Sequence, residues 1–130
     1  MVSASMLASL RAWLLADSAL AAIVGERVHV SRSDVAGNVP AVAVEMAGGA
    51  GQMNEVMDRA DVTVNAWSLV SWAEALSALD AAAKRLRNAT HVTGLAAPVL
   101  RVSSVGAPRQ VSDASYYHAQ FTITCIVKEA

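Results

Sequence analysis

Cysteine is nearly absent from this sequence, with Cys125 standing alone among 130 residues. A lone thiol excludes an intramolecular disulfide and cannot supply the ligand set of a zinc or iron–sulfur centre. Charge is scarce too, at 16% of residues, and balanced: ten Lys and Arg against eleven Asp and Glu give a net charge of -1. Without a basic excess, counterion release from a phosphate backbone offers little drive, so direct sequence-specific nucleic-acid binding is not expected. Long apolar runs are missing as well. The stretch from Met6 to Val24 is broken by Ser9, Arg11, Asp17 and Ser18, and no basic segment of the signal-peptide kind precedes it. Neither a membrane span nor export is expected. What the sequence does have is apolar material, 55% of its residues. That is too much for disorder and more than a small domain needs for itself, which implies one domain over residues 1–130 that folds and associates.

Hydrophobic periodicity gives the element order. Met6, Leu7, Leu10, Trp13 and Leu14 recur at helical spacing, predicting an amphipathic helix from about Ser3 to Ala16, followed by a short turn, Ala19 to Val24, that ends at Gly25. Val28 and Val30 alternate with His29 and Ser31, as in a strand, and Val39 to Met46 reads as a second strand with Pro40 at its start. The connection Ala47 to Glu55, with Gly48, Gly49 and Gly51, is longer than a hairpin needs. Ala60, Val62, Val64 and Ala66 alternate with Asp61, Thr63, Asn65 and Trp67 as a further strand. Ser71-Trp72-Ala73-Glu74 has the form of a capping box, opening a helix with the stripe Ala75, Leu76, Leu79, Ala82, Ala83 and Leu86 that ends near Asn88. Pro98 to Val105 is extended. In the last strand, Ser115 to Lys128, Tyr117, Ala119, Phe121, Ile123, Cys125 and Val127 face one way, and Tyr116, His118, Gln120, Thr122 and Thr124 the other. The fold class is therefore α+β: a mainly antiparallel sheet of four to five strands with two helices packed on one face.

Chemistry-bearing constellations are few. His29, His91 and His118 are each isolated in sequence, without the spacing that sets two metal ligands on one face, and are read as two surface strand residues and one loop residue. Gly48-Gly49-Ala50-Gly51 lacks the GK[ST] ending of a phosphate-binding loop, and Glu45, Glu55, Asp58 and Asp61 are read as solvated charge rather than a general-acid pair. Cys125 falls on the apolar side of the last strand, as a core thiol does. Trp13 is read as core, whereas Trp67 and Trp72 suit either a core or an interface. No catalytic, cofactor-binding or metal-binding residue is assigned, and no cofactor is expected. The residues describe a non-enzymatic domain that works by assembling.

The order of several short motifs resembles a family of small bacteriophage proteins that complete the tail or join it to the head. Leu10-Arg11-Ala12-Trp13-Leu14-Leu15-Ala16-Asp17-Ser18-Ala19-Leu20, then Ile23-Val24-Gly25-Glu26-Arg27-Val28, resembles the family's opening helix, its D-x-x-L turn and its V-G-x-R-V/I strand entry. Asn38-Val39-Pro40-Ala41-Val42 resembles its x-P-Y-V strand start. Val62 to Ser68 followed by Ser71 to Ala75 resembles V-x-V-x-x-W-A/S and the x-x-E-A helix opening, and Tyr116 to Ile123 resembles the closing Y-R-x-x-L-x-F strand. Ala41 stands where an aromatic is frequent, and His118 where an arginine is common. The resemblance implies a virion subunit, made in the cytoplasm of the bacterial host, that forms a hexameric ring at the head-proximal end of a long tail. Its implied partners are further copies of itself, the tail tube protein and the head–tail connector or adaptor. A ring closed by heterologous contacts needs adaptable surface. The segment containing Gly48, Gly49, Gly51, Gln52, Met53, Asn54 and Met57 is the candidate contact, with Arg32, Trp67 and Arg109 as further interface candidates.

Two other readings compete. In one, the domain is a dimer whose polar sheet face, with Tyr116, His118 and Gln120, lines a small-molecule or enzymatic pocket. In the other, the chain is a head-side connector or a minor tail protein of the same kind of particle.

Overall fold

A computed structural model describes residues 3–31, 35, 37–47, 51–52, 57–87 and 99–128. The described elements, in chain order, are α1 (Ser3–Leu15), α2 (Ser18–Val24), β1 (Val28–His29), β2 (Ala41–Met46), β3 (Gly51–Gln52), β4 (Met57–Ser68), α3 (Trp72–Arg87), β5 (Val99–Val105), β6 (Arg109–Val111) and β7 (Tyr117–Lys128). The α+β class and the mainly antiparallel sheet hold. The sheet gains two very short strands, β3 and β6; the strand expected from Val28 is the two-residue β1, and the expected turn after the first helix is the seven-residue helix α2.

The strand order is β1-β2-β4-β7-β5, with β3 continuing beside β4 and β6 beside β7. Among the described strands only β1 and β2 pair in parallel; the other pairings are antiparallel. The 12-residue strands β4 and β7 form the spine, paired without a shift from Met57↔Lys128 to Ser68↔Tyr117. Because side chains alternate with period two, this register assigns every residue of the spine to one face or the other.

The inner face holds the core. Val42 and Val44, Val62, Val64 and Ala66, and Ala119, Phe121, Ile123 and Cys125 pack with Met6, Leu10 and Leu14 of α1, Leu20 and Val24 of α2, and Leu79 and Leu86 of α3. Each large aliphatic or aromatic side chain withdrawn from water here contributes about 1.5–3 kcal/mol. The α3 stripe is close to that read from its spacing, with Ala78 fully buried and Leu76 half-buried. The break between the first two helices follows from local chemistry. Asp17 Oδ2 accepts from Leu20 N at 2.9 Å to cap α2, and Gly25, at φ 60, closes it with its N–H on Ala21 O. The two helices meet at 89°, and no single described helix is long and apolar enough to cross a membrane.

The capping box of α3 forms with one change. Ser71 Oγ accepts from Glu74 N at 3.2 Å as expected, but the Glu74 carboxylate accepts from Ser68 Oγ at 2.8 Å. Ser68 Oγ also accepts from Val70 N and Ser71 N, so this fully buried serine fixes the whole turn between β4 and α3.

Candidate functional site

The outer face of the sheet, away from the helices, is built from the alternate residues of the same strands: Ala41, Ala43 and Glu45 of β2, Arg59, Asp61, Thr63, Asn65 and Trp67 of β4, and His118, Gln120, Thr122 and Thr124 of β7. The register sets Trp67 opposite His118, Asn65 opposite Gln120, Thr63 opposite Thr122 and Asp61 opposite Thr124. The face divides into a covered end and an open end.

At the covered end, Val35, Ala41, Ala43 and Trp67 form a second small core, with Val39 and Tyr116 packed against it. Trp67 and His118 stack with ring centroids 4.7 Å apart and planes 20° from parallel. His118 is 3% exposed and Asn65 is fully buried, which corrects the expectation that His118 is a surface residue. Such burial of polar groups requires partners. Asn65 Nδ2 donates to Glu45 Oε1 at 3.1 Å, so Asn65 Oδ1 is the acceptor that meets His118 Nε2 at 2.8 Å. Gln120, with its amide turned to suit its neighbours, donates to the same Oδ1 at 3.0 Å and accepts from Arg109 Nε at 3.1 Å and from Arg109 Nη2. The result is a polar chain from β2 to β6 across the sheet: Glu45, Asn65, His118 with Gln120, then Arg109.

The open end is plainer. Thr124 Oγ1 donates to Asp61 Oδ1 at 3.0 Å, and Arg59 lies 3.8 Å from the Asp61 carboxylate. Thr122 is exposed and Thr63 half-buried.

Of the interface candidates, Arg109 is exposed on β6 and Trp67 is buried. The indole of Trp67 packs in the outer-face cluster. Gly51 and Gln52 form β3, paired with Arg59 and Asp58, and Met57 opens β4. Gly51 and Gln52 thus pair with the part of β4 that runs beyond the end of β2. Arg32, Gly48, Gly49, Met53 and Asn54 lie outside the described residues. The sequence reading missed Leu69 and Val70, which are 58% and 71% exposed on the turn that Ser68 holds. Beside them Trp72 meets Tyr117 edge-on at 5.4 Å, and Tyr117 is itself exposed. Adjacent Leu and Val between a strand end and a helix cap was the available signal.

Nucleophile and metal chemistry find little support among the described residues. No group of three or more His, Cys, Asp or Glu is placed to hold a metal ion. Burial, with the nearby Asp61 charge adding to it, pushes the Cys125 thiol up to about 12, so it stays protonated and unreactive at neutral pH.

No protein-family model and no curated protein matches this chain. Among solved structures it is similar to a chain of the virion of a native gene transfer agent particle, with a TM-score of 0.68 and 20% sequence identity over 98% of both chains. The two chains share their fold from end to end.

Proposed function

We propose that this protein is a structural subunit of a phage-like particle, forming a hexameric ring at the head-proximal end of the tail, where it ends the tail tube and meets the head connector. The observation that carries the reading is the end-to-end fold likeness to a chain of a gene transfer agent virion, which agrees with the motif order along the sequence. The surfaces agree with an assembling role. Leu69 and Val70 are exposed on a turn that is hydrogen-bonded in place, so little ordering entropy is lost when a neighbour covers them, and the exposed Tyr117 of β7 pairs with Ser68 at the start of that turn. Arg109 and the β3–β4 hairpin provide separate polar contacts. Distinct patches on one subunit suit a heterologous interface that closes into a ring.

The pocket reading of the outer face has less to stand on, because the polar groups of Asn65, His118 and Gln120 are engaged with one another. The test is deletion of the coding sequence in the host that makes the particle, followed by electron microscopy. Overlong tubes with unattached heads are expected. Tails of normal length joined to heads contradict the proposal, and tails of normal length without heads would move the protein to the connector side.

A further inference from the structure

Two arginines near the α1–α2 corner are anchored in the same way. Arg11 Nε donates to Val28 O at 2.6 Å, and Arg27 Nε donates to Pro40 O at 2.7 Å. Each bond holds the guanidinium at Nε and leaves its Nη1 and Nη2 donors open; among the described residues no further hydrogen bond or ion pair reaches them. Both side chains are half-buried, so their charges are screened less than those at a free surface. Arg11 lines a cleft of about 550 Å³ between α1 and α2, together with Leu15, Ala21, Gly25 and Glu26. Arg27 stands beside one wall of that cleft: a Cβ placed on Gly25 would lie 3.8 Å from Arg27 Nη1.

We infer that this cleft is a binding site for a carboxylate group. The Nη1 and Nη2 donors of Arg11 match the two oxygens of a carboxylate as a fork. Because Nε is already held, little side-chain freedom is lost when the fork is filled. Leu15 and Ala21 give the cleft an apolar wall against which the stem of an organic acid packs. Glu26 adds one negative charge to the same cleft, a penalty that grows with the charge of the ligand and so favours a singly charged carboxylate over a phosphate dianion. The carboxylate comes either from an Asp or Glu side chain of a neighbouring subunit or from a free small acid.

The test is nuclear magnetic resonance of the isotope-labelled whole chain, titrated with sodium acetate at constant ionic strength. The Arg11 Nε–H signal is followed together with the Ala21, Gly25 and Glu26 amides. Saturable shifts are expected, half-complete at about 50 mM acetate or below. Phosphate at pH 7.5 should bind about threefold or more weakly than acetate. Arg11→Met keeps the apolar stem and removes the fork, so the shifts should vanish, and Arg11→Lys should weaken binding about threefold or more although it keeps the charge. The native titration stands by itself should either variant fail to fold. Shifts that rise linearly with acetate or persist in Arg11→Met would overturn the inference, as would phosphate binding more tightly than acetate. Sedimentation of the native chain with and without saturating acetate then separates the two sources. Weaker self-association in acetate assigns the site to a side chain of a neighbouring subunit, and unchanged association assigns it to a free acid.

Discussion

Trp13 and Arg85 each donate to the other's backbone carbonyl: Trp13 Nε1 to Arg85 O at 3.2 Å, and Arg85 Nε to Trp13 O at 3.0 Å. The guanidinium also lies 3.8 Å over the centre of the indole. One pair of side chains, 72 positions apart, therefore ties α1 to the last turn of α3 by two hydrogen bonds and a cation–π contact. Arg85 has a second reason to be where it is, since the C-terminal end of a helix favours positive charge. Trp13→Ala should cost about 2–4 kcal/mol, less than a fully buried tryptophan because the ring is only partly buried. Arg85→Lys, which keeps the charge but loses the planar donor, should cost about 1 kcal/mol. Urea denaturation of both variants checks the order; a lysine variant as damaging as the alanine one would contradict it.

Ser68 makes three hydrogen bonds with one hydroxyl, accepting from Val70 N and Ser71 N and donating to Glu74 Oε1. Ser68→Ala strands those partners at a buried position and should cost about 1–3 kcal/mol. Equilibrium denaturation measures the loss, and hydrogen exchange should show the Val70 and Ser71 amides opening. Unchanged protection at those amides would mean that the turn holds itself without the serine.

Gly106 donates to Thr122 O at 2.8 Å where β5 gives way to β6, and a Cβ placed on it would come 2.9 Å from the same oxygen. That atom belongs to the backbone of the spine strand and does not yield cheaply. Gly106→Ala is therefore expected to lower stability by about 1–3 kcal/mol. The same change at Gly37 meets nothing within 4 Å, so any cost there comes from its φ of 86 alone. Thermal melts of the two variants separate the effects: Gly106→Ala with a native melting temperature would contradict the contact.

The Cys125 thiol gives the protein an alkaline limit. It ionises at the ordinary value of 9.0 when unfolded and at about 12 when native. Between those values the native state holds a proton that the unfolded chain has lost. Its contribution is therefore complete below about pH 9 and is lost at about 1.4 kcal/mol per pH unit as the pH rises toward 12. Cys125→Ala should be less stable at pH 7 because of the cavity it leaves, yet show a shallower decline from pH 9 to 10.5 than the native chain. Parallel declines in the two proteins would contradict this.

Leu69 and Val70 are exposed on a rigid turn, so replacing both by serine should leave the melting temperature nearly unchanged. If the patch is a subunit contact, the same change should weaken self-association about tenfold or more. Sedimentation at matched concentrations checks this, and native-strength association of the double variant would remove the patch from the interface.

The main elements were legible because their periodicity is strong and local. The alternation along Ala60 to Trp67 and along the final strand assigned both faces of β4 and β7, and the capping motif at Ser71 to Glu74 marked the start of α3. The strands β3 and β6 have two or three residues each and are too short to carry a period, whereas the alternation from Val28 to Ser31 did mark β1 but ran past its two residues. The burial of His118 was not legible either. It depends on Trp67, Asn65 and Asp113, which are distant or in a turn, and an outward position on a strand says nothing about what folds over it. Glu74 shows the same limit at short range: its motif predicted a bond to the helix start, and the buried Ser68 hydroxyl offered a better one.

Native mass spectrometry of the purified chain across a concentration series, with negative-stain imaging of the largest species, tests the central claim most directly. Six-membered rings, appearing cooperatively as concentration rises, are the predicted result. A tight dimer at every concentration would contradict a ring-forming subunit.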